Sequence, residues 1–229
     1  MTGVRLLSWN IHGAVGADRR CDPERIVRVI AEADPDMLVL QEVDGRSHLG
    51  RRREAFEFFA AALGSHVVEA RMFGRPGREH GNLLWSRWPL RTETVHALPG
   101  GIEPRGLIAV EAETPIGSLH VLGSHFSLSI PARRRQADAI RTIANALSGP
   151  VVLCGDFNEW RTSGPVHRHL SAALPVHHRP PSWPTWRPLV RMDRVYASRG
   201  VAVRALSHPE AAGAASDHLP VYVELTLEP

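Results

Sequence analysis

The stretch Val151-Val152-Leu153-Cys154-Gly155-Asp156-Phe157-Asn158 decides how the rest of the chain is read. Four apolar residues in a row, with Pro150 ahead and Gly155 behind, predict a short strand buried on both faces. Asp156 and Asn158 stand at its end, two positions apart. A buried strand that delivers a carboxylate and an amide to one spot is a rigid mount for chemistry. Gly, Asp and Asn also form Asx-type turns, so this segment alone leaves both readings open.

Working outward, the same design recurs along the chain. Val4 to Ile11 alternates only loosely and reads as a largely buried first strand carrying Asn10 near its end, and Asp36-Met37-Leu38-Val39-Leu40 runs into Gln41-Glu42. Glu42 closely follows a buried run and therefore needs a partner or a cation. The strand predicted from Ser118 to Ser124 ends in His125, Asp193 lies within the strand Met192 to Tyr196, and Asp217-His218 precede the last strand. Each has an ordinary alternative: a turn or cap for Asn10, a structural role for His125, a pairing with arginine for Asp193. Their recurrence at strand ends points to one site. Carboxylates and amides with no cysteine cluster suit a hard cation such as magnesium rather than zinc.

Three helices are expected. Asp22-Pro23 supplies an N-cap and a first-turn proline, with Ile26, Val29, Ile30 and Ala33 as the apolar face. Arg51-Arg52-Arg53-Glu54 opens the second helix, and Pro131 starts the third. Met72 to Gly81 reads as a Gly- and Arg-rich loop. Strands from Thr92 to Leu98, Gly106 to Glu113 and Ser118 to Ser124 form an antiparallel meander, with a hairpin turn at Thr114-Pro115-Ile116-Gly117. Pro175 to Pro188 is too broken by proline for regular structure.

At 229 residues the chain is expected to form one domain, 1–229. A hydrophobic content of 43% and a charged content of 22% fit a globular protein and argue against disorder. The formal charge is only +3, and all 27 basic residues are arginine. A charge this small does not by itself imply nucleic acid. Cys21 and Cys154 are too few for a disulfide framework and read as free thiols in a reducing compartment. Met1-Thr2-Gly3 leads directly into an apolar run, and no run is long enough to span a bilayer, so a cytoplasmic protein is expected.

The pieces Ser-Trp-Asn10, Leu-Gln-Glu42, Gly-Asn82-Leu-Leu-Trp-Ser-Arg, Ser-His125-Phe, Gly-Asp156-Phe-Asn158, Met-Asp193-Arg-Val-Tyr and Ser-Asp217-His218-Leu-Pro occur in one order from near residue 8 to near residue 220. In this the sequence resembles the endonuclease/exonuclease/phosphatase superfamily, the fold typified by pancreatic deoxyribonuclease. The resemblance implies an α/β four-layer sandwich: two mixed β-sheets packed face to face, with helices on the outer faces and the site at one end. It implies a metal-dependent hydrolase of phosphoester bonds, with Mg2+ as cofactor and Mn2+ as the alternative ion. Glu42, with Asn10 and Asp217 close by, would hold the metal. Asp156 would activate water, assisted by Asn158. His218 would donate to the phosphate with Asp193 fixing its tautomer, and His125 would be a second donor or the acid to the leaving group. Asn82 and Arg105 are candidate phosphate contacts, and Glu79 a candidate partner for His125. Val43-Asp44 after Glu42 departs from the Thr-Lys of the apurinic-site endonucleases. It is closer to the branch of deoxyribonuclease, sphingomyelinase, deadenylase and tyrosyl-DNA phosphodiesterase relatives. The expected substrate is a small or single-stranded phosphodiester, and the expected state a monomer. The alternatives are a nuclease on DNA or RNA, a catalytically weak phosphate-binding member, and a sandwich that binds carbohydrate or peptide, its polar residues mere turn formers.

Overall fold

The computed structural model describes residues 3–228. In chain order the strands are β1 (Val4–Asn10), β2 (Met37–Asp44), β3 (Val67–Arg75), β4 (Arg78–Ser86), β5 (Leu90–Leu98), β6 (Arg105–Thr114) and β7 (Gly117–His125). They continue as β8 (Val151–Asp156), β9 (Val176–His178), β10 (Asp193–Ala197), β11 (Val201–Ala205) and β12 (Val221–Leu227). The helices are α1 (Pro23–Ala33), α2 (Ala55–Leu63), α3 (Ile130–Ala146), α4 (Pro165–Ala173) and the short α5 (Ala212–Ala215). One sheet has the order β11-β12-β1-β2-β4-β3, the other β5-β6-β7-β8-β10-β9.

Three apolar layers hold these elements as the expected sandwich. Val4, Leu6, Met37 and Val39 of the first sheet meet Ile108, Val121, Val152 and Cys154 of the second. The opposite face of the first sheet (Leu7, Leu38, Leu40, Leu83) packs on Ile26 and Ile30 of α1 and on Phe56 and Phe59 of α2. Leu107, Leu122, Leu153 and Tyr196 of the second sheet pack on Ala137 and Ile140 of α3 and on Val166 and Leu170 of α4. This two-sided burial explains why β1, β2 and β8 are buried almost throughout rather than on alternate residues.

Each sheet is built around one parallel pair, β1 with β2 and β7 with β8. Their flanking partners β12, β4, β6 and β10 all run antiparallel to them. Four strands therefore end, and four begin, at one edge of the sandwich. Parallel neighbours ending together open a crevice at their carboxyl ends, where ligands of open α/β sheets bind.

The structure corrects three readings. Met72 to Gly81 is the β3–β4 hairpin, not a loop: Phe73 stacks on His80 at 4.9 Å, with the turn at Gly77. Arg51 to Arg53 precede α2, which begins at Ala55 after Glu54 in a left-handed conformation. Val176 to His178, within the proline-rich stretch, pair with β10 as an edge strand. Helix α4 is an addition that the sequence reading does not contain. Its signals are Gly164-Pro165 at the start and Val166 with Leu170 one turn apart. The α1 start is as expected, with the Asp22 side chain accepting from the Arg25 backbone N–H at 2.8 Å.

Gly155, in β8 before the site, has φ +145°, and a Cβ there would lie 1.8 Å from the Ser124 carbonyl oxygen of β7. Gly200 has φ +81° but open space around it. Gly155→Ala is expected to cost well over ~2 kcal/mol, because backbone must move. Gly200→Ala should cost only the left-handed strain of about 1–2 kcal/mol. Thermal unfolding checks this, with about 2–4 °C expected per kcal/mol for a domain of this size.

Candidate active site

The shared strand edge gathers the polar residues. Asn10, His125 and Asp156 are the last residues of β1, β7 and β8, and Asp193 and Arg105 are the first of β10 and β6. His125 pairs with Asp156 across the parallel β7–β8 register, and Asp193 with Asp156 across the antiparallel β8–β10 register. Glu42 arrives by a different device. The β2–β4 register shifts between Leu40 and Val43, and Glu42 has φ +55°. Such a bulge re-aims a side chain at the rim of a sheet, at the cost of backbone strain.

The Asn10 amide ties the two sheets together here. Its Nδ2 donates to Glu42 Oε1 at 2.9 Å and to Asp156 Oδ2 at 3.0 Å, while its Oδ1 accepts from the His12 backbone N–H at 3.0 Å. Asp156 is 1% exposed, and its Oδ1 accepts from the Asn158 backbone N–H at 2.8 Å. Burial, with the charge of Asp193 added, pushes the Asp156 carboxyl up to about 6, against the opposing pull of His218 and the hydrogen bonds from Asn158 and Asn10.

Two histidines flank Asp156 and are driven in opposite directions. His218 Nδ1 is 2.8 Å from Asp193 Oδ2, and its Nε2 is 4.0 Å from Asp156 Oδ2. Burial would lower this imidazole, but the charge and hydrogen bond of Asp193, with Asp156 and Asp217, outweigh it and push His218 up to about 10. His125 Nε2 lies 3.6 Å from Asp156 Oδ2. Burial, with the charge of Arg105 added, holds it well below the ordinary histidine range. The geometry agrees. Arg105 Nη1 sits 2.9 Å from Nδ1, and Asn158 Nδ2, which also donates to the Phe126 carbonyl, sits 3.1 Å from Nε2. The Arg105 guanidinium can only donate, so Nδ1 keeps its lone pair and the proton of the neutral ring sits on Nε2.

Asp217 lies at the edge of this group. Its Oδ2 accepts from the Trp183 indole at 3.3 Å, and its Oδ1 faces His12 Nδ1 at 3.4 Å without hydrogen-bond geometry. Asn82 is buried on β4, and its side chain makes no hydrogen bond among the described residues. Glu79 pairs with Arg71 at 3.2 Å, so the residue that holds His125 is Arg105 and not Glu79.

Sequence reasoning missed His12, His80 and Arg194. His80, one place from Gly81 in a segment read as loop, is buried within reach of the Glu42 charge. Arg194 is fully buried without a carboxylate. It donates to the backbone carbonyls of Arg191 at 2.7 Å, of Glu159, and of Arg161 at 3.5 Å, tying the segment after Asn158 to β10. Its signal was its place beside Asp193 in a strand.

The donors fit a hard divalent cation. Glu42 and Asp156 converge on one neutral amide, the adjacent His125 is held neutral, and no thiol lies in the group. The tightest group of ligand atoms, within 4.8 Å, is Asp156, Asp193 and His218. There Asp193 Oδ2 and His218 Nδ1 are already spent on each other, whereas the Glu42 side is more open and keeps free carboxylate lone pairs.

Comparisons with known proteins bear on the family and the fold. The model of the Endonuclease/Exonuclease/phosphatase family matches residues 7–218. The chain is 28% identical over 243 residues to the uncharacterized protein YbhP of Escherichia coli (strain K12), covering 97% of this chain and 96% of that one. An endonuclease/exonuclease/phosphatase from Beutenbergia cavernae DSM 12333 superposes with a TM-score of 0.78 at 27% identity, over 99% of this chain and 72% of that one. The human Nocturnin catalytic domain with bound sulfate superposes with a TM-score of 0.75 at 22% identity, over 99% of this chain and 95% of that one. With a family model running from β1 to His218 on a two-sheet sandwich, the chain belongs to the endonuclease/exonuclease/phosphatase family.

Proposed function

We propose that the protein is a magnesium-dependent phosphodiesterase acting on small or single-stranded phosphodiesters. The observation that carries this is a buried carboxylate, Asp156, set 4.0 Å from an imidazole that Asp193 keeps protonated. A base and a cationic donor side by side suit attack of water on a phosphoryl group.

Asp156 takes the proton of the attacking water, its Oδ1 fixed by the Asn158 N–H and its Oδ2 by Asn10. His218 donates from Nε2 to a phosphoryl oxygen, with Nδ1–H anchored on Asp193. His125, held neutral, serves as a second donor and not as the acid to the leaving group. Glu42, Asn10 and Asp217 are the residues we assign to the metal, which when bound would neutralise charge on the phosphoryl oxygens and the departing oxygen.

Trp183 stands against Asp217, with the exposed Trp160 ring 5.6 Å from it and Trp186 exposed nearby in sequence. Such a rim suits an aryl group or an unstacked base better than a duplex bound along its length. No helix among the described residues is long and apolar enough to cross a membrane. The free thiols of Cys21 and Cys154 are in keeping with the cytoplasm, and we expect a monomer.

Hydrolysis of bis(4-nitrophenyl) phosphate should vanish with chelator and return with magnesium or manganese. Glu42→Gln should weaken that metal dependence, and a full wild-type rate and metal response would refute the assignment. Asp156→Asn should lose ~10²–10⁴-fold in turnover with the fold retained by circular dichroism. Asp193→Asn and His218→Ala should each impair the step, and their combination should add little, because the pair acts as one unit. Additive losses would separate them.

The rate profile follows from the two opposed shifts. Asp156 works ionised, so kcat/KM should rise with pH through an acid limb at about 6, or lower once a cation adds its charge. His218 works protonated, so the rate should fall as pH rises through about 10. Asp193→Asn should draw the alkaline limb toward neutrality. Duplex DNA should bind weakly at physiological salt, and a salt slope reporting ~6 or more phosphate contacts, at about −0.9 each, would instead favour a duplex nuclease.

A further inference from the structure

At the strand edge where β2 ends and the β3–β4 hairpin turns lies a cavity of about 280 Å³ lined by Arg46, His48, Gly74, Arg75 and Arg78. Resting on the phosphodiesterase reading, we propose that this cavity binds a second, non-scissile phosphate of the same substrate. Its size, below the ~300–1,000 Å³ of sites for drug-sized ligands, suits one small charged group rather than a whole molecule.

The charge there is only partly balanced by the protein, by Asp44 on Arg46 and by the Glu54 side chain against Gly77. Asp44 is buried, and Arg46 donates to it at 2.9 and 3.0 Å while Arg51 lies 3.6 Å away, so one carboxylate serves two guanidiniums. Arg75 and Arg78 have no carboxylate partner among the described residues. Arg71, four residues earlier on the same hairpin, has three: Glu57, Glu69 and Glu79. Lone surface arginines are commonplace. What distinguishes these is convergence from the β2 end and both arms of the β3–β4 hairpin onto one concavity.

The cavity is braced, and it is close to the site. The Gly45 N–H donates to the Glu79 carbonyl at 2.8 Å and the Glu54 N–H to the Gly77 carbonyl at 2.9 Å, which fixes the hairpin against β2 and α2. Gly74 has φ +124°, and a Cβ there would lie 2.4 Å from the Arg78 carbonyl, so the hairpin closes tightly only with glycine. The Arg46 guanidinium covers Phe73 at 5.1 Å, and Phe73 stacks on His80 at 4.9 Å. His80 feels the charges of Glu42, Asp44 and Arg46, and Arg46 that of Glu42. Arg46, Phe73 and His80 thus stack in turn, and His80 pairs in register with Asp44, two residues from Glu42. Guanidiniums grip phosphate through paired, charge-assisted hydrogen bonds.

The test uses the full chain and the variant Arg75→Ala/Arg78→Ala, which leaves Arg46 on Asp44 and touches no residue of the reaction centre. Substrates are bis(4-nitrophenyl) phosphate, dithymidylate, and dithymidylate with an added 5′- or 3′-phosphate. The double variant should raise KM about tenfold or more for one phosphorylated dinucleotide with kcat unchanged, as loss of charge-assisted hydrogen bonds predicts. The two substrates with a single phosphate should change less than about twofold. Titration calorimetry of inorganic phosphate in chelator, where no turnover occurs, should show binding to the wild type weakened about tenfold in the variant. Equal KM shifts on all substrates, no shift on any, or unchanged phosphate binding would each overturn the proposal. If the wild type hydrolyses none of these diesters, the phosphodiesterase reading fails, and calorimetry alone decides the cavity.

Discussion

How closely the two sheets approach sets everything at the site. Gly123 of β7 lies so near Val39 of β2 that a Cβ would stand 2.6 Å from its Cγ1. Around that contact the facing residues are Val, Ile, Leu and Met at or near zero exposure. Interiors packed this densely leave no room for sliding. Because the seam is tight, one amide can reach carboxylates from both sheets. Because it is dry, Asp156 at its end is cut off from water, and its charge has to be answered by neighbouring groups.

That constraint holds two residues of one type in opposite protonation states. His125 and His218 are both buried and both near Asp156, His125 as the last residue of β7 and His218 three residues before β12. What separates them is a single partner each: the Arg105 guanidinium on one ring, the Asp193 carboxylate on the other. The buried Arg194 serves the same arrangement from behind by holding backbone carbonyls on both sides of the β8–β10 junction.

Much of this was legible in the sequence because buried strands are apolar runs, and a polar residue at the end of one is conspicuous. Asn10, Glu42, His125 and Asp156 stood out in this way, and the structure brings them together. His80 did not, since Gly74, Gly77 and Gly81 break the pattern that would have marked β3 and β4 as strands. The stacked Phe73 and His80 that stabilise the hairpin are a tertiary feature with no local period. The start of α2 was misplaced because a run of arginines is compatible with a first helical turn. Only the left-handed Glu54 shows that the chain turns there. The positive φ of Glu42 is likewise invisible in composition, since glutamate rarely adopts it without strain.

Long-range pairing also bears on when the candidate site is assembled. Asn10 is 146 residues from Asp156, to which it bonds, and its backbone carbonyl is capped by Ser216, 206 residues away. Strand β12, the last in the chain, lies against β1, the first, with Val4 opposite Leu225. Contacts of such long range are made late in folding, since the loop entropy is paid before they contribute. A chain emerging from the ribosome carries Asn10, Glu42 and Asp156 long before His218. Until that strand has docked, His218 is not in place beside Asp193 and Asp156, and on the proposed mechanism a growing chain is inert toward phosphoesters.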